Sequence, residues 1–221
     1  MIPSPREWEE IFALLRQSSG AGVTPSVTQI AEERPDPFRV LVSTLISLRT
    51  KDEITLAASL RLFAAADSPS ALLALNEERI GELIYPAGFY RTKAKNLRRI
   101  SALLKERHNG QVPRNRDDLL VLPGVGRKTA NLTLGLAFGI PAICVDTHVH
   151  RIPNRLGWIY TKSPEESEAA LEAILPERYW IEINTLLVAF GQQTCTPVSP
   201  WCGPCPLADR CERVGVERFR R

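Results

Sequence analysis

The chain has 221 residues, 44% of them hydrophobic, and a formal net charge of +3. This length fits one large domain or two modest ones, and the hydrophobic content is sufficient for a packed core. No apolar run approaches the ~20 residues of a membrane span, and the N-terminal residues lack the basic and apolar regions of a signal peptide. We therefore expect a cytoplasmic protein with no membrane partner, while the small net charge alone does not indicate nucleic acid.

Helix start signals recur along the chain and predict a series of helices. A capping side chain, followed by proline, glutamate or both, marks helix starts at Ser4, Asp36, Thr50, Ser68, Asn76 and Ser163. The helix that opens at the Thr50 capping box is expected to end near Ala65. Residues 91–107 carry an apolar stripe at helical spacing, whereas the apolar segment 142–145 is too short to build a sheet. We expect an all-α fold of roughly ten helices.

Residues 122–130, with the sequence Leu-Pro-Gly-Val-Gly-Arg-Lys-Thr-Ala, form a motif with a glycine-rich turn between two helices. Gly124 and Gly126 allow positive φ and let the bare backbone approach a ligand, and Val125 can turn inward as an anchor. The free N–H groups and positive dipole of the helix that opens at Arg127 suit a DNA phosphate. An ordinary corner between helices is the alternative interpretation.

Lys128 lies in the first turn of that second helix, and Asp146 follows an apolar segment further along the chain. An amine attacks carbon only in its neutral form, which the positive helix end, Arg127 and partial burial favour. Such a lysine can attack C1′ of an extruded nucleotide and form a Schiff base. Asp146 can stabilise the positive charge that develops on the sugar, and a plain helix N-cap is its alternative role.

Four of the five cysteines lie near the end of the chain, in the pattern Cys195-x6-Cys202-x2-Cys205-x5-Cys211. A secreted disulfide scaffold would spread its cysteines through a shorter chain, so the clustering indicates a metal site. Structural zinc sites more often use two C-x2-C pairs, whereas four-cysteine ligation suits a [4Fe–4S] cluster. We expect an iron–sulfur cluster in a structural role, with zinc as the alternative.

Three motifs in this order resemble the endonuclease III family of bifunctional helix–hairpin–helix DNA glycosylases: LPGVGRKTAN at residues 122–131, VDTHVHR at residues 145–151, and the four-cysteine pattern. The resemblance implies two helical domains that flank a DNA-binding cleft. A six-helix barrel domain with the helix–hairpin–helix would span residues 30–140. An iron–sulfur cluster domain would combine residues 1–29 and 141–221. The implied reaction is excision of oxidised pyrimidines from duplex DNA, followed by β-elimination at the abasic site.

The resemblance also implies roles for individual residues. Lys128 matches the Schiff-base lysine, Asp146 the catalytic aspartate, and the four cysteines the ligands of a [4Fe–4S] cluster. Arg49, Phe89 and His148 would fill the gap left by the flipped base. The family's bacterial members usually have Gln at the position of Arg49 and Leu at that of Phe89, so the opposite-base preference stays open. Further DNA contacts are predicted from the same motifs, at Gly124, Val125, Gly126, Arg127, Thr129 and Arg151.

Three other interpretations compete with this one. A mismatch-specific DNA glycosylase with weak lyase activity would commonly lack a lysine at position 128. A non-catalytic DNA-binding iron–sulfur module would not need Lys128 together with Asp146, and an iron–sulfur electron carrier would not explain the hairpin. We expect a monomer, because one cleft suffices, with double-stranded DNA that carries damaged pyrimidines or abasic sites as its partner. In a bacterium it would be associated with the nucleoid.

Overall fold

The computed structural model describes residues 2–19 and 24–221. Within these ranges the regular structure consists of twelve α-helices, two short 3₁₀ helices and one isolated β-bridge between Trp201 and Arg220. The all-α prediction is confirmed. No helix in the described ranges is both long enough and apolar enough to cross a membrane.

The chain divides into two compact units, one of Ser26–Ile140 and the other of Met1–Pro25 with Pro141–Arg221. The first of these, called the central unit, contains α2 (Ser26–Glu33), α3 (Pro37–Ser47), α4 (Asp52–Ala65), α5 (Pro69–Leu73), α6 (Glu77–Ile84), α7 (Tyr90–Arg107), α8 (Arg116–Leu120) and α9 (Arg127–Phe138). The second, called the terminal unit, contains α1 (Pro5–Ser19), α10 (Thr147–Leu156), α11 (Pro164–Ile174) and α12 (Glu182–Gln193), with 3₁₀ turns at Glu177–Tyr179 and Ala208–Arg210.

Side-chain caps set most of the helix starts that the sequence predicts. Oδ1 of Asp36 accepts hydrogen bonds from the backbone N–H groups of Phe38 (2.9 Å) and Arg39 (3.0 Å) at the start of α3. The side chains of Ser68, Asn76 and Ser163 cap α5, α6 and α11 in the same way. Because these caps are local, a short stretch of sequence is enough to locate them.

The capping box predicted at Thr50 is wrong. Helix α4 begins at Asp52, and its N-cap residue is Lys51, whose side chain makes no capping hydrogen bond. The Thr50 hydroxyl instead accepts hydrogen bonds from the Gly88 N–H (3.1 Å) and the Lys93 ammonium (2.9 Å). Both donors are distant in sequence, so the local pattern does not reveal them.

Helix α3 forms the centre of the central unit and contacts α2, α4, α7 and α9. It is apolar on nearly all sides, and Val40, Leu41 and Ile46 are fully buried, as expected for a helix with neighbours all round it. Helix α7 packs beside it through its predicted apolar stripe, since Leu97 and Ile100 are also buried. The C-terminal end of α3 and the N-terminal part of α7 meet, since the Lys93 ammonium of α7 donates a hydrogen bond to the Ile46 carbonyl of α3.

The N-terminal helix completes the hydrophobic core of the terminal unit. Helix α1 packs on α12, and the Phe12 ring stacks on Tyr179 with ring centroids 3.9 Å apart. Trp8 meets Trp158 edge to face with centroids 4.7 Å apart. These aromatic side chains are buried, so residues from both ends of the chain share one core.

Candidate active site and metal centre

The two glycines of the predicted hairpin differ in what the fold requires of them. Gly124 has φ +82°, a left-handed backbone, and a Cβ built on it would lie 2.7 Å from Nδ2 of Asn96. Gly126 has an extended backbone, and nothing lies within 4 Å of a Cβ built there. The fold thus explains Gly124 but not Gly126, whose missing side chain leaves the backbone open to a ligand. Val125 is buried, as expected for an inward anchor.

The start of α9 places Lys128 beside this turn. Gly126 is the N-cap residue and, as a glycine, has no side chain to make a capping hydrogen bond. Arg127 is exposed and Lys128 half-buried, while the Thr129 side chain is buried. A DNA contact from Thr129 would therefore come from its backbone N–H. An uncapped helix N-terminus offers such N–H groups and a positive dipole end to an anion.

Asp146 caps α10 with only one of its carboxylate oxygens. Oδ1 accepts hydrogen bonds from the N–H groups of His148 (2.8 Å) and Val149 (2.9 Å). Among the described residues no hydrogen bond reaches Oδ2, and the side chain is half-buried. The capping bonds hold the carboxylate in place while one oxygen stays available, so the capping and catalytic roles are compatible.

The two terminal nitrogens of the Arg151 guanidinium, Nη1 and Nη2, are engaged within the terminal unit. Its Nη2 lies 3.1 Å from Nδ1 of His148 and donates to the Cys195 carbonyl at 2.9 Å, while Nη1 donates to the Thr147 carbonyl at 3.2 Å. Burial lowers the pKa of Arg151 from its ordinary value. These bonds tie α10 to the start of the cysteine segment. The DNA contact of Arg151 stays a prediction, and it would require one of these bonds to break.

Arg49 and Phe89 are brought together at the end of the central unit where α3 and α7 meet. Both have left-handed backbone, with φ of +52° and +56°. The Arg49 guanidinium carbon lies 5.6 Å from the centroid of the Phe89 ring, which is 62% exposed. Both line a surface pocket of about 530 Å³ together with Gly124 of the hairpin. Two of the three predicted gap-filling residues thus share one surface with the hairpin.

Lys93 lies in the same region and makes contacts that the sequence does not predict. Its side chain is 8% exposed, and Nζ donates hydrogen bonds to the carbonyls of Ile46 (2.7 Å) and Leu48 (2.6 Å) and to the Thr50 hydroxyl. Burial lowers the pKa of Lys93 to about 8, whereas the three accepting oxygens favour the charged form. The sequence gives only a weak signal for Lys93, which lies four residues before Leu97 and therefore on the apolar side of α7.

The four clustered cysteines line a single pocket of the terminal unit. Their thiols form no disulfide. Burial raises the pKa of Cys205 to about 11 and also raises the pKa values of Cys202 and Cys211. No group of three or more His, Cys, Asp or Glu side chains in the described part of the chain has metal-binding spacing. The four sulfur donors thus face one pocket without standing at ligand distances.

Arg155, which lies on α10, connects this helix to the cysteine segment through hydrogen bonds. Its guanidinium, which is almost fully buried, donates to the carbonyls of Thr196 (2.7 Å) and Pro197 (2.6 Å). Nη1 also lies 3.5 Å from Sγ of Cys195, and the thiol of Cys211 donates to the Arg155 carbonyl at 3.4 Å. A cation beside four thiols fits a group held by four thiolates, because it offsets part of their negative charge.

Comparison with known proteins places this geometry in context. Residues 42–177 match the family described as HhH-GPD superfamily base excision DNA repair protein. Endonuclease III of Thermotoga maritima is 50% identical over 177 residues, which cover 80% of this chain and 83% of the relative. Endonuclease III-like protein 1 of Bos taurus is 42% identical over 212 residues, covering 91% and 70%. A trapped endonuclease III–DNA covalent intermediate, an estranged-adenine complex, matches with a TM-score of 0.78 at 34% identity, covering 93% of this chain and 96% of that one.

Proposed function

Because the chain belongs to the HhH-GPD superfamily of base excision DNA repair proteins and is similar to endonuclease III over most of its length, we propose that it excises oxidised pyrimidines from duplex DNA and cleaves the resulting abasic site. The resemblance to the endonuclease III family is confirmed. The observation that carries the proposed activity is the position of Lys128 in the first turn of a helix whose N-cap residue is the glycine of the hairpin, Gly126. A lysine in this turn would lie beside the phosphate that the hairpin binds, and therefore close to the substrate strand.

The hairpin supplies the grip on DNA. The open backbone at Gly126 and the N-terminal turn of α9 suit a phosphate, and such contacts position the strand without reading its sequence. Arg49 and Phe89 present a cation and an exposed ring beside the same turn, which suits insertion where a nucleotide has left the stack. We propose that the protein acts as a monomer on double-stranded DNA with damaged pyrimidines or abasic sites, in the cytoplasm or, in a bacterium, at the nucleoid.

The chemistry proposed for Lys128 accounts for both steps. The neutral amine attacks C1′ of the extruded nucleotide, the bond from C1′ to the base breaks, and the base leaves with that electron pair and a proton. Loss of the amine proton and opening of the sugar ring at the C1′–O4′ bond give a Schiff base. Removal of a C2′ proton then expels the 3′ phosphate and breaks the strand. Water hydrolyses the imine and restores the lysine.

Asp146 would stabilise the first of these steps. Positive charge develops on the sugar as the base departs, and a fixed carboxylate oxygen lowers the energy of that state. Oδ2 is the oxygen available for this purpose, because Oδ1 is engaged by the two capping N–H groups. We propose that Lys128 and Asp146 act on the same nucleotide.

The activity can be tested with duplex DNA that contains thymine glycol. We expect base release, strand cleavage and, on addition of borohydride, a covalent protein–DNA adduct from reduction of the Schiff base. Cleavage without an adduct would reject the lysine mechanism. Base release without cleavage would favour the mismatch-specific alternative, and binding without either reaction would favour the non-catalytic module.

We further propose that Cys195, Cys202, Cys205 and Cys211 hold a [4Fe–4S] cluster. Two features support this proposal: the four thiols share one pocket, and the Arg155 guanidinium lies beside Cys195. The cluster would supply structural cross-linking of a segment with little regular structure of its own. Lys128 and Asp146, the residues proposed to act on DNA, are not among the residues that line this pocket.

Iron analysis of anaerobically purified protein tests the cluster. We expect about four iron and four sulfide ions per chain, with brown colour and visible absorbance. Cys202→Ser should reduce the iron content and lower the melting temperature, because a ligand and its cross-link are lost. Cys144→Ser serves as the control, since Cys144 is buried away from the pocket and should leave the iron content unchanged. Colourless protein with bound zinc would contradict the proposal.

A further inference from the structure

Arg49 and Phe89 lie on two separate turns, one just after α3 and the other just before α7. Both have left-handed backbone, which L-residues other than glycine rarely adopt because Cβ is crowded there. Such backbone persists only where surrounding groups hold it. The contacts around these two turns therefore identify the residues that hold the backbone of Arg49 and Phe89 in this conformation.

The buried side chain of Lys93 stabilises the first turn, which contains Arg49. Its buried ammonium donates to the carbonyls of Ile46 and Leu48, near the end of α3, and to the hydroxyl of Thr50. Two of these acceptors precede Arg49 and the third follows it. Each of the three ammonium protons has an acceptor, so a single side chain binds the backbone before Arg49 and the Thr50 hydroxyl after it.

Gly88 joins the second turn to the first. Its N–H donates to the Thr50 hydroxyl at 3.1 Å, and a Cβ built on Gly88 would overlap the carbonyl oxygen of Arg49. The two turns can therefore touch backbone to backbone only because residue 88 is glycine. This contact sets Phe89, the next residue, beside the Arg49 side chain.

We infer that Lys93, Thr50 and Gly88 form a latch that presents Arg49 and Phe89 as one preformed wedge for extruding the damaged nucleotide. The inference rests on the proposed function. A wedge that is ordered before it meets DNA loses little conformational entropy on insertion, which leaves more of the binding free energy to unstack the base. Lys93, Thr50 and Gly88 are positioning residues, because they act through the two side chains that would contact DNA.

The latch should matter more for base excision than for cleavage at a preformed abasic site, which has no base to unstack. We therefore compare single-turnover rates of base release from a thymine glycol duplex with rates of cleavage of the matching abasic duplex. Lys93→Met removes the three donors at similar volume, and Gly88→Ala forces the two turns apart. Both variants should slow base release by about tenfold or more and abasic-site cleavage by no more than about threefold.

Leu104→Ala is the matched control, because Leu104 is fully buried on the same helix, about 16 Å further along it. It should lower the melting temperature through the cavity it creates but leave the ratio of the two rates at the wild-type value. All variants are assayed below their melting temperatures. Should Lys93→Met fail to fold, Gly88→Ala and Thr50→Val decide the matter by the same ratio.

An unchanged ratio in the folded latch variants, or an equal loss in both reactions, would overturn the latch while leaving the proposed function intact. Failure of the wild-type protein to release thymine glycol would instead overturn the proposed function. The same pair of substrates therefore separates the two failures.

Discussion

The Lys128→Ala variant is expected to form no borohydride-trapped adduct with thymine glycol duplex, and its base release should fall by at least about a thousandfold. The reason is chemical, because the variant lacks the amine that would bond to C1′. The described structure shows no hydrogen bond from the half-buried Lys128 side chain. The substitution should therefore change the free energy of unfolding by no more than about 0.5 kcal/mol. Gel analysis of the adduct and thermal unfolding measure the two effects.

Arg127→Ala provides the neighbouring control for this experiment. Arg127 is exposed in the same helical turn, so its loss should weaken DNA binding and make it less sensitive to salt, while the adduct still forms at saturating protein. An adduct that persists in Lys128→Ala would assign the reaction to another amine. Lys93 is a poor substitute despite its lowered pKa, because three acceptor oxygens enclose its Nζ.

The sequence predicts structural features that depend on neighbouring residues, and it fails where the contacting residues are distant in the chain. The caps at Asp36 and Asp146 and the left-handed turn at Gly124 depend on neighbouring residues, so local patterns locate them. Thr50 has the pattern of an N-cap, but two donors on distant segments take its hydroxyl. A capping propensity is a local preference, and a tertiary hydrogen bond of similar strength can override it.

The residues of the candidate site show the same difference between local and distant interactions. Lys128, Asp146 and the cysteines stand out because their chemistry and spacing are visible in the chain. Lys93 does not, since a single lysine on an apolar stripe resembles one whose side chain extends to solvent. Its role depends on backbone carbonyls at the end of another helix, and carbonyls carry no sequence signature. The bonds of the Arg151 guanidinium to the carbonyls of Thr147 and Cys195 cannot be predicted from the sequence for the same reason.

Asp146→Asn separates the charge of Asp146 from its cap. Asparagine caps helices about as well as aspartate, and its Oδ1 can accept the same two bonds from His148 and Val149. The melting temperature should therefore stay near the wild-type value. Base release should fall by about a hundredfold to ten-thousandfold, because the developing positive charge on the sugar loses its carboxylate. Asp146→Ala should show the same kinetic loss and also lose about 1 kcal/mol of stability with the cap.

Asp36 offers a matched control for the cap itself. Its Oδ1 accepts bonds from two backbone N–H groups at the start of α3, in the same arrangement as Asp146 on α10. Asp36→Ala should lower the melting temperature by about 2–4 °C, as one lost cap does in a chain of this size, and leave base release unchanged. If Asp146→Asn released thymine glycol as fast as the wild type, Asp146 would have the same role as Asp36. The sugar cation would then need another source of negative charge.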